Sequence, residues 1–262
     1  MIDLGGYGFS ILITGGSITI SIAVASLAIA CVLGMITALA KLSNNRIARA
    51  VSTSYTTLIR GVPDLVLMLL IFFGGQVFIN NLPDNLLSLI AMFGDLPGIK
   101  GTLVDNGDQL RELAQPYFDW GYIDINPFIA GVITVGFIFG AYMGETFRGA
   151  ILAVDRGMLE AGTAYGMTKF QITRRILFPQ MVRHALPGLG NNWLVLMKAT
   201  AIVSIIGLDD MVRKAGLAAG ATRQPFKFYL IAAVAFLLFT TVSIWLQKMA
   251  EKKYSVGVRS AL

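Results

Sequence analysis

The sequence predicts an all-α membrane protein that forms one domain over residues 1–262, with five transmembrane helices. More than half of its 262 residues are hydrophobic, 14% are charged, and the mean hydropathy is +0.70. Its charges are segregated, so that four long stretches carry none. Each of these is long enough for a spanning helix, which needs roughly 20 apolar residues. The stretches lie between Asp3 and Lys41, Asp64 and Asp84, Asp124 and Glu145, and Lys227 and Lys248.

The first span is predicted at about 17–39, and we expect it to act as the targeting signal. The N-terminus carries Asp3 and lacks the basic region that precedes a cleaved signal peptide. The loop that follows contains Lys41, Arg46 and Arg49 and no acid. Because loops rich in lysine and arginine stay in the cytoplasm, the N-terminus should lie outside and, after five spans, the C-terminus inside.

The second span is predicted at about 56–79, although its start is ambiguous. A helix from Asp64 to Ile79 covers only about 24 Å, less than the roughly 30 Å of the hydrocarbon core. Residues before Asp64 should therefore add depth. Gly61 and Pro63 lie there, and proline removes a backbone donor and clashes with the preceding turn. We expect a break or kink beside them.

An acid-rich loop outside the cytoplasm is predicted over residues 81–126. It carries seven acids against only Lys100 and Arg111, together with several prolines and glycines. A loop of this kind could cover the outer face or contact a soluble partner. The acids are Asp84, Asp95, Asp105, Asp108, Glu112, Asp119 and Asp124.

Three further spans are predicted at about 127–149, 186–207 and 228–247. The first of these places glycines at intervals of four on one helical face, which lets helices approach closely in lipid. The loop at 208–227 should be external, yet its four bases outnumber its two acids, against the usual charge bias. The glycines on the face of the span at 127–149 are Gly136, Gly140 and Gly144.

A basic segment at 157–183, the polar loop, separates the third and fourth spans. Its spacing resembles the coupling loop of binding-protein-dependent ABC importer permeases, in which E-A-A, a glycine, an isoleucine and a proline recur at fixed intervals. Gly162 and Phe178 depart from the usual alanine and leucine. A helix, a glycine turn and a second helix would form a knob that fits a groove in another protein; the alternative is a helix pair lying on the membrane. The motif residues are Glu160, Ala161, Gly162, Gly166, Ile176 and Pro179.

Other segments resemble the polar amino-acid branch of the same family, and most of all its Q-type permeases for histidine, lysine, arginine and ornithine. The resemblance covers nearly the whole chain except about 81–122. The segments are YTTLIRGVPD at 55–64, AYMGETFRG at 141–149, GNNW at 190–193, KATA at 198–201 and YSVGVR at 254–259.

This resemblance implies the type I ABC importer permease fold in the bacterial inner membrane, and a polar, basic amino acid as the substrate. It also implies four kinds of partner: the lipid bilayer, a homologous second permease subunit that makes a heterodimer, two copies of a cytoplasmic ATPase that binds ATP and Mg, and a periplasmic amino-acid-binding protein. The chain itself should be non-catalytic and bind no cofactor or metal. It has no Gly-Lys dipeptide, hence no phosphate-binding loop, and its one histidine excludes an H-E-x-x-H site. Cations flanking the spans explain its net charge of +6 without nucleic acid.

Ionisable residues within spans are the candidates for a substrate path, because a charge at membrane depth is costly without a partner. Asp64 could line a cavity beside a broken helix, or only favour a helix N-terminus after Pro63. Glu145 could hold the cationic group of a basic amino acid, or pair with Arg148 one turn away.

Four more residues belong to this candidate set. Lys198 could attract a substrate carboxylate, although we favour its neutralising an acid between helices. We expect the side chain of Arg60 to extend to the lipid headgroups, and we favour this over a contact with the substrate. Tyr142 and Trp193 could present rings to a cation, but spans carry aromatic residues routinely.

A second hypothesis is an ion-coupled secondary amino acid carrier in which Asp64, Glu145 and Lys198 bind the coupling ion. It predicts gradient-driven transport by this chain alone and leaves the polar loop unexplained. A membrane-embedded enzyme or receptor would need a catalytic cluster or a soluble signalling domain, and the sequence shows neither.

Overall fold

The computed structural model describes residues 6–95, 106–118 and 121–254, and within these ranges the chain is helical without a strand. It divides into two compact units, one of Met1–Met68 with Pro127–Leu262 and one of Leu69–Asn126. Among the described residues, five helical stretches are long and apolar enough to cross a membrane, which confirms the predicted number. They are Tyr7–Leu42, Asp64–Phe93, Pro127–Leu152, Lys169–Ile206 and Pro225–Tyr254.

The centre of the larger unit is a closely packed helix pair. The short helix α1 (Tyr7–Phe9) continues through a π-helical segment (Ser10–Gly15) into α2 (Gly16–Leu42). Helix α6 (Pro127–Leu152) packs along α2. A Cβ atom on Gly136 would lie 2.8 Å from Cβ of Ile29, and one on Gly144 would lie 3.0 Å from Cβ of Thr37. The predicted glycine face of the third span is thus confirmed as the surface that receives α2.

The predicted break beside Pro63 is confirmed, but the predicted bounds of the second span are wrong. Helix α3 (Arg46–Gly61) ends before an extended Val62, and α4 (Asp64–Gly94) begins after Pro63. With 31 residues, α4 reaches about 46 Å and needs no depth from α3. It continues past Ile79 because Asp84 is its only charge from there to Phe93 and the apolar sequence resumes after it.

Much of the predicted 81–126 loop is helical as well. Beyond the end of α4, helix α5 (Gly107–Phe118) follows, and an extended segment at 121–126 leads to α6. Asn80 holds this segment through both of its side-chain groups, accepting from Ile123 N at 2.8 Å and donating to Ile123 O at 3.0 Å. Lys100, Asp105 and Asp119 lie outside the described residues, and the predicted sidedness of this region stays a prediction.

The polar loop folds as two helices that lead into the fourth span. Helix α7 (Arg156–Ala164) is followed by a turn and then by α8 (Lys169–Ile172). A π-helical segment (Thr173–Leu177) joins α8 to α9 (Phe178–Ala199), and α9 continues into a tighter 3₁₀ segment (Thr200–Ile206). The helical stretch is continuous from Lys169 to Ile206 and is longer than the predicted 186–207.

Residues 208–227, predicted as an external loop, contain a packed helix instead. Helix α10 (Met211–Thr222) buries Met211 and Ala215 in a cluster with Phe228 of α11 (Pro225–Tyr254). Arg213 pairs with Asp209 at 2.9 Å on the exposed side. Two of the four bases, Arg213 and Lys214, thus lie on a packed helix, which the loop prediction did not anticipate. Of the motif at 254–259, only Tyr254 lies within the described residues.

Candidate functional site

A charge cluster of Lys41, Thr56, Glu145 and Arg148 joins three helices. The carboxylate of Glu145, on α6, accepts a hydrogen bond from the ammonium of Lys41 in the last turn of α2. Its other oxygen accepts from Arg148 Nε at 2.9 Å. The Lys41 ammonium also donates to the hydroxyl of Thr56 on α3. Both oxygens of Glu145 are therefore occupied by resident cations, and the pair with Arg148 weighed from the sequence is present.

Lys41 is the residue of this cluster that sequence reasoning missed. It looked like a headgroup cation because it begins a basic loop, but its side chain is only 10% exposed. The pairing connects residues 104 positions apart, so no local spacing reveals it. The only signal was its place as the first charge after the first charge-free stretch, within reach of a span end.

A second group, formed by Arg60, Asp64 and Tyr142, lies where α3, α4 and α6 meet. The Cζ atom of Arg60 lies 5.7 Å from the centre of the Tyr142 ring, a cation–π distance. The side chain of Tyr142 also interacts with the carboxyl group of Asp64. The ring of Tyr142 thus does meet a cation, and in this structure that cation is the protein's own Arg60. Asp64 starts α4 after Pro63, which is one of its two predicted environments; the other, a place in the lining of a cavity, stays a prediction.

An open cavity of about 390 Å³ connects the charge cluster with Arg60. Its walls combine two bases, one acid and two hydroxyl groups, and Arg148 is not among them. A cavity of this composition suits a small zwitterion or a cation with a carboxylate. The lining residues are Lys41, Thr56, Thr57, Arg60, Gly61 and Glu145.

Two predicted site residues on α9 lie apart from these contacts. Lys198 is exposed and makes no ion pair within the described part of the chain, so the neutralising role that we favoured has no partner there. Trp193 is half-buried and makes no ring contact with a described residue. Instead α9 contributes Asn192, whose amide donates to Thr146 Oγ1 at 2.9 Å, next to Glu145 in the chain. Asn192 was visible in the GNNW segment but had no assigned role.

The polar loop has the helix–turn–helix form that its spacing predicted. The carboxylate of Asp155 caps α7 by accepting from Gly157 N at 2.8 Å. Gly166 turns the chain with a φ of +74°, a conformation that favours glycine. Thr168 and Gln171 then form a capping box that starts α8.

Gly162, the departure from the alanine of the motif, lies at the contact between the two halves of the polar loop. A Cβ atom there would lie 2.8 Å from Cδ1 of Ile176 and 3.2 Å from Cγ1 of Ile172. The glycine therefore lets Ile176, another motif residue, pack closely against α7. Pro179 lies in the first turn of α9, directly after the π-helical segment Thr173–Leu177.

The outer side of the polar loop is partly apolar. Glu160 and Ala161 are both exposed on α7. Tyr165 is 89% exposed and Phe170 is 71% exposed. An apolar surface flanked by charges is typical of a contact with another protein.

Beyond the spans, Asp210 has an unusual environment. It begins α10 and is fully buried; one carboxyl oxygen accepts from Arg213 N at 2.8 Å, while the other has no hydrogen-bond partner among the described residues. Burial raises the pKa of Asp210 to about 6.

Five helices long and apolar enough to span a membrane, a charged cavity lined by residues of α2, α3 and α6, and a helical knob between the third and fourth spans together define a multi-pass membrane permease. The chain belongs to the family of binding-protein-dependent transport system inner membrane components, whose family model matches residues 30–256. The resemblance drawn from the motifs is thereby confirmed.

Relatives match the chain over almost its full length. It is 45% identical over 256 residues to the histidine/lysine/arginine/ornithine transport system permease protein HisQ of Escherichia coli (strain K12), covering 97% of this chain and 98% of that protein. It is 36% identical to the octopine transport system permease protein OccQ of Rhizobium meliloti, over 97% of this chain and 94% of that protein.

Solved structures share the fold. A crystal structure of an amino acid ABC transporter with histidines matches with a TM-score of 0.70 and 29% identity, covering 93% of this chain and 94% of that chain. An inward-facing structure of the MetNI methionine ABC transporter matches with a TM-score of 0.63 at 13% identity, covering 94% and 96%, and shares the fold alone. The type I importer fold predicted from the sequence is confirmed.

Proposed function

We propose that this chain is the permease subunit of an ATP-driven importer of polar, basic amino acids, located in the bacterial inner membrane. The observation that carries the proposal is the full-length likeness to permeases named for histidine, lysine, arginine, ornithine and octopine transport. The charged cavity agrees with such cargo, because it offers groups of both signs to an amino acid.

The proposed assembly contains a homologous second permease subunit, two copies of a cytoplasmic ATPase that binds ATP and Mg, and a periplasmic amino-acid-binding protein. The chain itself has a non-catalytic role, because its sequence contains no phosphate-binding loop. The polar loop is the proposed docking site for the ATPase. Its exposed residues Glu160, Ala161, Tyr165 and Phe170 would contact a groove of that partner.

The mechanism is alternating access driven from the polar loop. Closure of the ATPases on ATP moves the loop, and the movement passes directly into the fourth span, because the helical stretch is continuous from Lys169 to Ile206. Gly162 keeps α7 tightly packed on this stretch, so that the two helices move together. The spans then open towards the loaded binding protein, and hydrolysis resets them.

An ion-coupled carrier is not favoured. Glu145, which that hypothesis needs as a ligand for the coupling ion, already pairs with Lys41 and Arg148. Lys198 lies exposed in α9 and makes no ion pair with Glu145, the acid of the cavity. The carrier hypothesis also leaves the exposed knob of the polar loop without a role.

Reconstitution of the purified assembly in liposomes tests the proposal. Uptake of labelled histidine, arginine, lysine and glutamine is measured with and without the ATPase and the binding protein. We expect uptake of the basic amino acids only when both partners and ATP are present. Uptake driven by an ion gradient in the absence of both partners would refute the importer, and ATP-driven uptake of glutamine alone would refute the substrate class.

A further inference from the structure

We propose that Lys41 is an exchangeable counter-cation of Glu145, which the cationic side chain of a substrate displaces from the cavity. Lys41 would then be a specificity-determining residue that admits positively charged amino acids to the carboxylate. This inference rests on the proposed function, since it requires a basic amino acid as cargo.

The first step of the argument is that only one of the two cations on Glu145 can leave. Arg148 is three residues along α6 and moves with Glu145 as part of one helix. Lys41 belongs to a different helix, lines the cavity and carries its charge on a flexible four-carbon stem. A ligand in the cavity therefore meets the Lys41 ammonium and not the Arg148 guanidinium.

The second step is that the displaced ammonium has other partners. Lys41 already donates to the hydroxyl of Thr56, a residue that is only 3% exposed. Thr57 lines the same cavity and adds a second hydroxyl group. A small rotation of the lysine side chain thus moves its ammonium from the Glu145 carboxylate to the hydroxyl oxygens of these threonines. The ammonium therefore keeps a hydrogen-bond acceptor.

The third step concerns which ligands can take the place of Lys41. The side chain of Glu145 is only 21% exposed, and Arg148 holds one of its oxygens, so departure of Lys41 leaves the other oxygen of a partly buried carboxylate without a partner, which is costly. A guanidinium or ammonium group restores the pair, whereas a neutral side chain does not. The substrate carboxylate meets Arg60, whose guanidinium lies over Tyr142 and makes no ion pair within the described ranges.

The competing explanation is that Lys41 and Glu145 only tie α2 to α6. In that case a change at Lys41 alters stability and affects all ligands equally. Arginine and citrulline separate the two explanations, because citrulline replaces the guanidinium of arginine by a neutral ureido group of nearly the same shape.

The experiment measures binding of arginine and of citrulline by calorimetry to the purified permease–ATPase complex without the binding protein. Lys41→Met keeps the apolar stem and removes the competing charge. We expect it to tighten arginine binding about tenfold, a usual size for coupling between competing groups, and to leave citrulline unchanged. Glu145→Gln should remove the preference for arginine. Lys248→Met, which removes an exposed cation of α11, is the matched control and should behave as the wild type.

If the ratio of arginine affinity to citrulline affinity in Lys41→Met is within twofold of the wild-type ratio, the proposed exchange of Lys41 for a substrate cation is refuted. The proposed function is unaffected by that result. If wild-type complex binds neither arginine nor any other basic amino acid but binds a neutral one, the substrate class of the proposed function fails and the exchange fails with it. Should Lys41→Met not assemble, Lys41→Gln supplies the same comparison with a polar side chain at that position.

Discussion

The Cα atom of Gly162 faces the end of the Ile176 side chain so closely that a Cβ atom would lie 2.8 Å from Cδ1. These two residues are fourteen positions apart and belong to the two halves of the polar loop. Their contact joins α7 to the helical stretch that becomes the fourth span. The contact leaves little room for a Cβ atom, which explains why this chain has glycine where the family motif has alanine. A larger side chain at position 162 therefore tests whether the loop is rigid.

Enlarging Gly162 should uncouple the loop in proportion to the added volume. Gly162→Ala requires only a small movement of the flexible end of Ile176, and we expect ATP-driven uptake within about twofold of the wild type. Gly162→Leu forces α7 away from Ile176, an overpacking that costs about 1–3 kcal/mol, and uptake should fall at least about tenfold. Gly220→Leu, at a helical glycine with no atom within 4 Å of an added Cβ, is the control. Equal uptake by Gly162→Leu and wild type would contradict a rigid contact here.

Reversing the charge of Glu160 should release the ATPase. Glu160 is exposed on α7, so Glu160→Lys leaves the packing of the loop intact and changes only the surface offered to a partner. We expect the ATPase to be lost from the purified membrane complex, as measured by co-purification through a tag on this chain. Glu112→Lys, at an exposed acid of α5, should retain the ATPase. Full retention by Glu160→Lys would place the docking surface elsewhere.

The buried carboxyl of Asp210 should make stability fall as the pH rises from about 4 to about 6. Its pKa is about 6 in the folded chain, raised mainly by burial, against an ordinary value of 3.8. The folded state therefore binds the proton more tightly than the unfolded state, so stability is highest below about pH 4 and reaches a lower plateau above about pH 6. The difference is at most about 3 kcal/mol, because one pKa unit corresponds to about 1.4 kcal/mol.

Asp210→Asn isolates this contribution, because asparagine remains a good cap for α10 and carries no charge. Thermal unfolding in detergent is followed between pH 4 and pH 7.5. The variant should lose the decrease in stability between pH 4 and pH 6 and should be more stable than wild type at pH 7. Asp209→Asn, at the exposed partner of Arg213, should keep the wild-type profile. A pH profile unchanged by Asp210→Asn would assign the decrease to other groups.

The sequence predicted those features of the fold that depend on one local pattern. Charges are costly in lipid, so four charge-free stretches identified four of the five spans, and the span at 186–207 was predicted although it contains Lys198. Proline cannot continue a hydrogen-bonded helix from the preceding turn, so Pro63 marked the break between α3 and α4. The glycines spaced by four residues identified the face of α6 that packs on α2.

Other features depend on contacts between distant segments and were missed for that reason. Lys41 and Glu145 meet across 104 residues, and the basic neighbours of Lys41 pointed to the headgroups instead. Lys198 was expected to neutralise an acid between helices because a charge at membrane depth is costly without a partner, but no described acid forms an ion pair with it. The end of the second span was placed too early because Asp84 was taken as its limit, whereas a single acid does not end an otherwise apolar helix.

Replacing Asp64 by asparagine should distinguish its two interpretations. Asparagine keeps a side chain of nearly the same size and shape that favours the start of α4, so the main change is the loss of the negative charge. If Asp64 lies on the path of a cationic substrate, Asp64→Asn reduces ATP-driven arginine uptake about tenfold and affects glutamine uptake by less than about twofold. This is the result we expect, because Asp64 interacts with Tyr142, whose ring lies against Arg60, and Arg60 lines the cavity together with Glu145. Equal effects on both substrates, or no effect on either, would leave Asp64 as the first residue of a helix and nothing more.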